Sequence, residues 1–242
     1  MADRLIINLG SSRIAWRGAA GSGALLHAGE PGRCLMQALA SNEPPDEVVV
    51  GSVAVTPVTA EFLSVCRAAW DVTPRELVAI REAYGVRNVY AEPARLGIDR
   101  WAALVAAYRA HGGGVLIADC GTAVTVDYVA EGGRHVGGLI APGLGLMRAA
   151  LANGTRLALT SEFAPVPPLF GTDTELGIAG GTLAAVAGLL AYVAEKTAAR
   201  YGPPKAMLIT GGDASAVRVR LGTGWSQAPE LVLDGLELLA DG

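Results

Sequence analysis

Two tracts of nearly identical design constrain this chain more than any other feature. Val115 to Tyr128 reads VLIADCGTAVTVDY: an apolar run, then Asp-x-Gly-Thr, then an alternating run. Arg4 to Arg17 reads RLIINLGSSRIAWR and repeats the pattern. Asn8, Gly10 and Ser11 line up with Asp119, Gly121 and Thr122 at a constant offset of 111 (119 minus 8). Each tract predicts two strands joined by a turn. Such a turn offers a carboxylate or amide, a glycine backbone with no side chain in the way, and a hydroxyl. That chemistry can hold a metal ion and a phosphate together. One such turn in each half predicts a duplicated fold that closes on a nucleotide.

The intervening residues predict α/β architecture with mixed sheets. Strands are expected at Leu5–Ile7, Ser11–Trp16, Leu25–His27, Glu47–Val53, Glu76–Ile80 and Ala206–Ile209. Helices are expected at Cys34–Ala40, at Thr56–Ala69 with Pro57 near its start, at Leu146–Leu151 and at Thr174–Glu195. Asp99–Ala110 reads as an amphipathic helix with a stripe of Trp101, Leu104, Val105 and Tyr108. Gly137–Gly145 is a strand entering a glycine-rich turn, and Thr160–Pro168 a proline-containing loop. Leu231–Leu239 reads as a last helix or strand–helix. The glycines at 112–114 place a boundary between domains 1–112 and 113–242. Neither G-x-G-x-x-G after the first strand nor G-x-x-x-x-G-K-[ST] occurs, which removes the dinucleotide and Walker solutions.

Composition narrows the partners. The 242 residues are 51% apolar and 17% charged, with a formal net charge of −4. No basic face for nucleic acid is expected. No uninterrupted apolar run of membrane-spanning length occurs, so no membrane partner is expected. The N-terminus lacks a signal peptide's basic start and cleavage site. Cys34, Cys66 and Cys120 are odd in number and scattered, which fits a reducing cytoplasm and a buried structural role for Cys120.

Taken together, INLGSSRIAWR, LGIDRW, DCGTAVTVD and LITGGDA, with GGLIAPGLGLM and PELVLDGLELL, resemble the type III pantothenate kinases of the actin/hexokinase-like superfamily. The resemblance runs from residue 4 to about residue 240. It implies two RNase H-like (actin-like ATPase) domains with an interdomain nucleotide cleft, and a homodimer. It also implies ATP-dependent phosphorylation of pantothenate, with Mg²⁺ and a monovalent cation (K⁺ or NH₄⁺), in coenzyme A synthesis.

The site residues follow from the same resemblance. Asn8, Leu9, Gly10, Ser11, Ser12, Arg13, Ile14 and Ala15, with Thr122, are expected to bind the ATP phosphates. Asp99 is the expected general base; at the start of a helix it also fits an N-cap or first-turn acid. Tyr90, Gly97, Ile98, Asp99, Arg100 and Thr174 are expected to bind pantothenate, and Thr174 also fits an N-cap. Asp119 is the expected monovalent-cation ligand, a turn-capping Asp being the alternative. Gly211 and Gly212 fit an adenine contact or a plain turn. His111 and His135 read as surface or loop residues, His27 as a strand-end residue, and Asp127 as a strand-end cap or unassigned.

One position departs from the pattern. Most relatives carry Asp-x-Gly-Asn in the first turn, whereas this chain has Asn8-Leu9-Gly10-Ser11. The missing Asp normally helps to hold the Mg²⁺ of Mg-ATP. Two readings stay open: an active kinase with altered metal use, or a weakly active or inactive relative that binds a ligand and regulates.

Overall fold

The computed structural model describes residues 3–40, 42–154 and 167–242. Most of the expected Thr160–Pro168 loop lies outside them. Contacts divide the chain into two compact units, 1–109 with 230–242, and 110–229. The glycine-marked boundary therefore lies within a few residues of the observed one. The last segment, however, packs with the first unit rather than the second.

In the first unit the strands are β1 (Arg4–Leu9), β2 (Arg13–Gly18), β3 (Gly21–Leu26), β4 (Glu47–Ser52) and β5 (Arg75–Leu77), ordered β3-β2-β1-β4-β5. β1, β2 and β3 pair antiparallel, while β1, β4 and β5 pair parallel. The parallel strands read LIINL and EVVVG because both faces are covered. Leu5, Ile7, Leu9, Val48 and Val50 pack with Leu35 of helix α1 (Pro31–Ala38) and with Phe62 and Cys66 of α2 (Thr56–Trp70). The intervening Ile6 and Val49 point to the opposite face and are also buried.

A two-stranded ribbon, β6 (Glu82–Ala83) with β7 (Val86–Arg87), precedes helix α3 (Ile98–His111). The helix α7 (Leu231–Asp241) completes the unit against β1 and β4. α3 is not the one-faced helix that its stripe predicts: Ile98 and every residue from Arg100 to Ala107 are buried. Alanines at 102, 103, 106 and 107 let other backbone approach closely. A Cβ on Gly235 of α7 would collide with the Ala102 backbone. Arg17 of β2 reaches α7 and bonds Glu230, Asp234 and Glu237 at 3.1, 2.7 and 2.8 Å.

The second unit repeats the strand order. β8 (Val115–Cys120), β9 (Ala123–Val129), β10 (His135–Pro142), β11 (Ala206–Thr210) and β12 (Ser226–Gln227) lie as β10-β9-β8-β11-β12. The 111-residue sequence offset is thus realised as the same three antiparallel strands and two parallel additions. Helices α4 (Leu144–Gly154), α5 (Thr174–Tyr201) and α6 (Ala214–Leu221) cover this sheet. Its core joins Leu116, Ala118, Cys120 and Val126 to Leu183, Val186, Leu190 and Val217. Among the described residues one helix, α5, is long and apolar enough to cross a membrane by length and composition. Its Leu183, Val186 and Leu190 belong to the second core.

One histidine and its carboxylate partner depart from the sequence reading. His135 is fully buried rather than at the surface, with Nε2 2.9 Å from Asp127 Oδ1. Asp127 lies inside β9, opposite Ile117, not at a strand end. Burial beside a carboxylate partner removes both side chains from solvent, a pairing that local sequence does not display. His111 is exposed, as expected.

Candidate active site

Both hairpins form where the sequence places them. In the first, the Gly10 amide donates to the Arg13 carbonyl at 2.9 Å, closing the turn after β1. Ser11 and Ser12 are exposed at its tip. In the second, the Gly121 amide donates to the Ala123 carbonyl at 3.0 Å, and Thr122 is exposed in the same way. β2 begins at Arg13, so Ser11 and Ser12 belong to the turn rather than to the strand.

Asn8 pairs with Gly51 across the parallel ladder and shares the sheet face of Ile6 and Val49. Its Oδ1 is buried and accepts no hydrogen bond. The start of α3 lies beside this position. A Cβ on Gly51 would be 3.5 Å from Ile98 Cγ1, and one on Gly97 3.4 Å from Val53 Cγ1. Val53 N in turn donates to the Leu9 carbonyl. The carboxyl ends of two neighbouring parallel strands therefore carry the first turn and the LGIDRW segment together. Such strand ends are where open α/β sheets bind their ligands.

Within LGIDRW, Asp99 sits in the first turn of α3, and its Oδ1 accepts the Arg100 amide at 2.7 Å. The Asp99 carboxylate packs against Gly97: a Cβ there would stand 2.6 Å from Asp99 Oδ1 and displace it. Arg100 is 7% exposed, far from the solvated surface arginine that its type suggests. Its Nη1 donates to the Tyr90 hydroxyl at 3.1 Å, and its guanidinium lies 5.9 Å from the Tyr90 ring centroid. Tyr90, Gly97, Ile98, Asp99 and Arg100 thus form one cluster.

Thr174 is placed differently. The N-cap of α5 is Asp173, whose Oδ1 accepts the Leu176 amide at 2.8 Å. Thr174 is exposed in the first turn. It borders an open apolar groove of about 850 Å³ lined by residues such as Leu146, Met147, Ile178 and Ala185.

Asp119 is half-buried at the end of β8, opposite Thr210 and Thr125. Gly211 follows Thr210 with φ +95°, a conformation that favours glycine. A Cβ there would collide with Asp119 Oδ1 and the Cys120 carbonyl. The close approach explains the glycine of LITGG by packing on the Asp119 turn. Burial pushes the Cys120 thiol up to about 12, with Asp119 and Asp213 adding to it. Cys120 is therefore a packed thiol rather than a nucleophile.

Asn8 and the turn amides and hydroxyls beside it are residues that could hold the magnesium nucleotide that the family resemblance implies. Among the described residues no group of three or more His, Cys, Asp or Glu could hold a metal ion by itself. Mg²⁺ needs few protein carboxylates when phosphates and water supply the rest. The orphaned Asn8 Oδ1 is an acceptor for such an ion or its water. Sequence reasoning gave no part in these turns to His27 or Gly143: Gly143 lies within GGLIAPGLGLM, where its contact with the second turn is not visible, and His27 lies in no recognisable motif.

Known proteins resemble this chain along nearly its whole length. The family model for type III pantothenate kinases matches residues 5–196. The type III pantothenate kinase of Alkalilimnicola ehrlichii is 38% identical, covering 99% of this chain and 98% of the relative. That of Nitrosococcus oceani is 34% identical, covering 98% and 93%. Among solved structures, a conserved Campylobacter jejuni protein assigned to the Baf family of transcriptional activators superposes with a TM-score of 0.62. It is 20% identical, and 98% of each chain is covered. Component A of the (R)-2-hydroxyglutaryl-CoA dehydratase of Acidaminococcus fermentans gives 0.54 at 13% identity, covering 98% and 96%. The structural likeness carries the actin/hexokinase-like fold, and the sequence likeness carries more: the chain belongs to the type III pantothenate kinase family.

Proposed function

We propose that this chain catalyses ATP-dependent phosphorylation of pantothenate to 4′-phosphopantothenate, the first step of coenzyme A biosynthesis, with the following division of labour. Asp99 accepts the proton from the primary hydroxyl of pantothenate. Arg100, already held by Tyr90, binds and orients the substrate. A general base of this type works by placement within hydrogen-bond reach, so a shifted pKa is not needed. Gly97 and Ile98 shape the wall beside the base, and Thr174 adds a substrate contact.

Asn8 to Ala15, with Thr122, hold the phosphates through turn amides and hydroxyls. Asn8 would take Mg²⁺ or its water through Oδ1, and Asp119 would take a monovalent cation, K⁺ or NH₄⁺. Those ions supply charge neutralisation on the transferring phosphoryl group. The family supports a homodimer, and the open apolar groove beside α4 and α5 is compatible with self-association. A cytoplasmic location fits three cysteines that form no disulfide.

One observation carries the assignment: Asp99, buried Arg100 and Tyr90 converge at the start of α3, beside the turn that follows β1. The test is purified protein with ATP, Mg²⁺, K⁺ and pantothenate. We expect phosphopantothenate to form, and Asp99→Asn to lower kcat by roughly 10²- to 10⁴-fold with little change in the pantothenate KM. Absence of product under every metal condition, or an Asp99→Asn variant as fast as the parent, would refute the assignment.

A further inference from the structure

His27 makes contacts that no local pattern foretells. It is 2% exposed and sits immediately after β3. Its backbone amide donates to the Ser12 carbonyl at 3.1 Å, and its ring Nε2 lies 3.0 Å from the Gly10 carbonyl. The Gly29 amide donates to ring Nδ1 at 3.1 Å. An amide can only donate, so Nδ1 is the unprotonated nitrogen and Nε2 carries the hydrogen given to Gly10. One residue thus grips the first phosphate turn at both of its ends.

The backbone around His27 is bent to allow this. The Glu30 amide closes a turn onto the His27 carbonyl at 2.7 Å. Both central residues of that turn have positive φ, 45° at Ala28 and 90° at Gly29. Alanine rarely adopts that conformation. It is this turn that brings the Gly29 amide back onto the imidazole.

The second unit contains the corresponding position without the side chain. Gly143 immediately follows β10, and its amide donates to the Thr122 carbonyl at 3.0 Å. A Cβ on Gly143 would collide with the Gly121 carbonyl. Both units therefore brace the turn by backbone at the residue after their third strand. Only the first adds a side-chain donor.

We propose that His27 is a positioning residue for nucleotide phosphate: it holds the Gly10 carbonyl inward so that the Ser11 amide faces the phosphate. A trans peptide holds C=O and N–H in one plane pointing in opposite directions, so fixing the Gly10 oxygen fixes the direction of Ser11 N–H. The inference rests on the reading of this turn as an ATP phosphate site.

The test compares His27→Gln, His27→Asn and His27→Leu in the full chain. Gln retains a donor able to reach Gly10. Asn retains only the acceptor for Gly29, and Leu retains neither. Calorimetric binding of magnesium adenylyl imidodiphosphate should weaken about tenfold in the Asn and Leu variants, the size of one lost hydrogen bond. The Gln variant should stay within about threefold of the parent. Turnover should show the ATP KM rising in the same order while the pantothenate KM holds.

Equal nucleotide affinity in all variants, a Gln variant as weak as Leu, or both KM values rising together would overturn the proposal. If the Leu variant does not fold, the Gln–Asn pair decides. A parent that binds nucleotide but leaves pantothenate untouched would sink the substrate assignment while the binding series still judges His27. A parent that binds no nucleotide would sink both.

Discussion

Asn8→Asp is the perturbation whose outcome the structure fixes most sharply. Asn8 is half-buried, but its Oδ1 is fully shielded and accepts no hydrogen bond. A carboxylate has oxygens at both terminal positions, so no rotation of the side chain avoids placing one there. An unmet buried acceptor costs about 1–3 kcal/mol, and charge raises that figure. The exposed remainder of the side chain and a rise in the new group's pKa limit it. We therefore expect a loss of about 2 kcal/mol in the metal-free variant. For a unit of this size that corresponds to a fall in Tm of about 6–10 °C. A divalent cation reverses the penalty by pairing with the new charge. Mg-ATP should then raise the variant's Tm by several degrees more than it raises the parent's, and the Mg²⁺ needed for half-maximal turnover should fall. Thermal melts with and without Mg-ATP, with a Mg²⁺ titration of rate, read both effects. If the metal-free variant melts with the parent and Mg-ATP stabilises the two equally, then either Oδ1 is not shielded or no cation approaches it.

Other outcomes follow from interactions away from the catalytic cluster. Arg17→Met removes the cation that bonds Glu230, Asp234 and Glu237. It should destabilise by about 1–2 kcal/mol at low salt, and less at 1 M salt, because the partners are partly exposed and the stranded acids repel. Glu237→Gln should change stability by less than about 0.5 kcal/mol; denaturant melts of both variants check the asymmetry. The Arg4 hydrogen bond, helped by Arg75, holds the Glu47 carboxyl below its ordinary 4.5. Its stabilisation is complete above that value and is lost as pH falls through the lower folded one, so Glu47→Gln should flatten stability against pH below about 4.5. Burial pushes the Cys66 and Cys120 thiols up to about 12. Native protein should therefore release one equivalent with a thiol reagent, from half-buried Cys34, and three after denaturation; fast reaction of all three in the native state would refute this.

The strands that lead into the two turns were the most legible in the sequence. β1 and β8 are apolar runs that end in turn chemistry, and a repeat of that pattern announced two sheets of one topology. The cluster of Tyr90, Asp99 and Arg100 was legible only through its motif. Nothing local indicates that Arg100 is buried, because its burial depends on Tyr90 folding over it. The amphipathic reading of α3 failed because alanine is both apolar and small. It counts weakly in a stripe yet permits contact on every side of a helix. β6, β7 and β12 are two-residue strands, too short for a period to show. α6 carries Arg218 and Arg220 among its valines and alanines, which blurs its buried face. The partners of the two buried histidines share one reason for escaping the sequence: Gly10 in the turn after β1 meets His27, and Asp127 on β9 meets His135 on β10, and contacts made across a sheet leave no trace in nearby sequence.

The return of α7 to the first unit has a consequence for synthesis. Leu231, Leu233 and Leu236 are buried in the first unit, and they emerge from the ribosome only after the whole of 110–229. Until then β1 and β4 lack the cover on that face, so the earliest-made portion of the chain is among the last to be finished. The nascent protein must wait with an apolar sheet surface open, a stage at which holding chaperones would find a target.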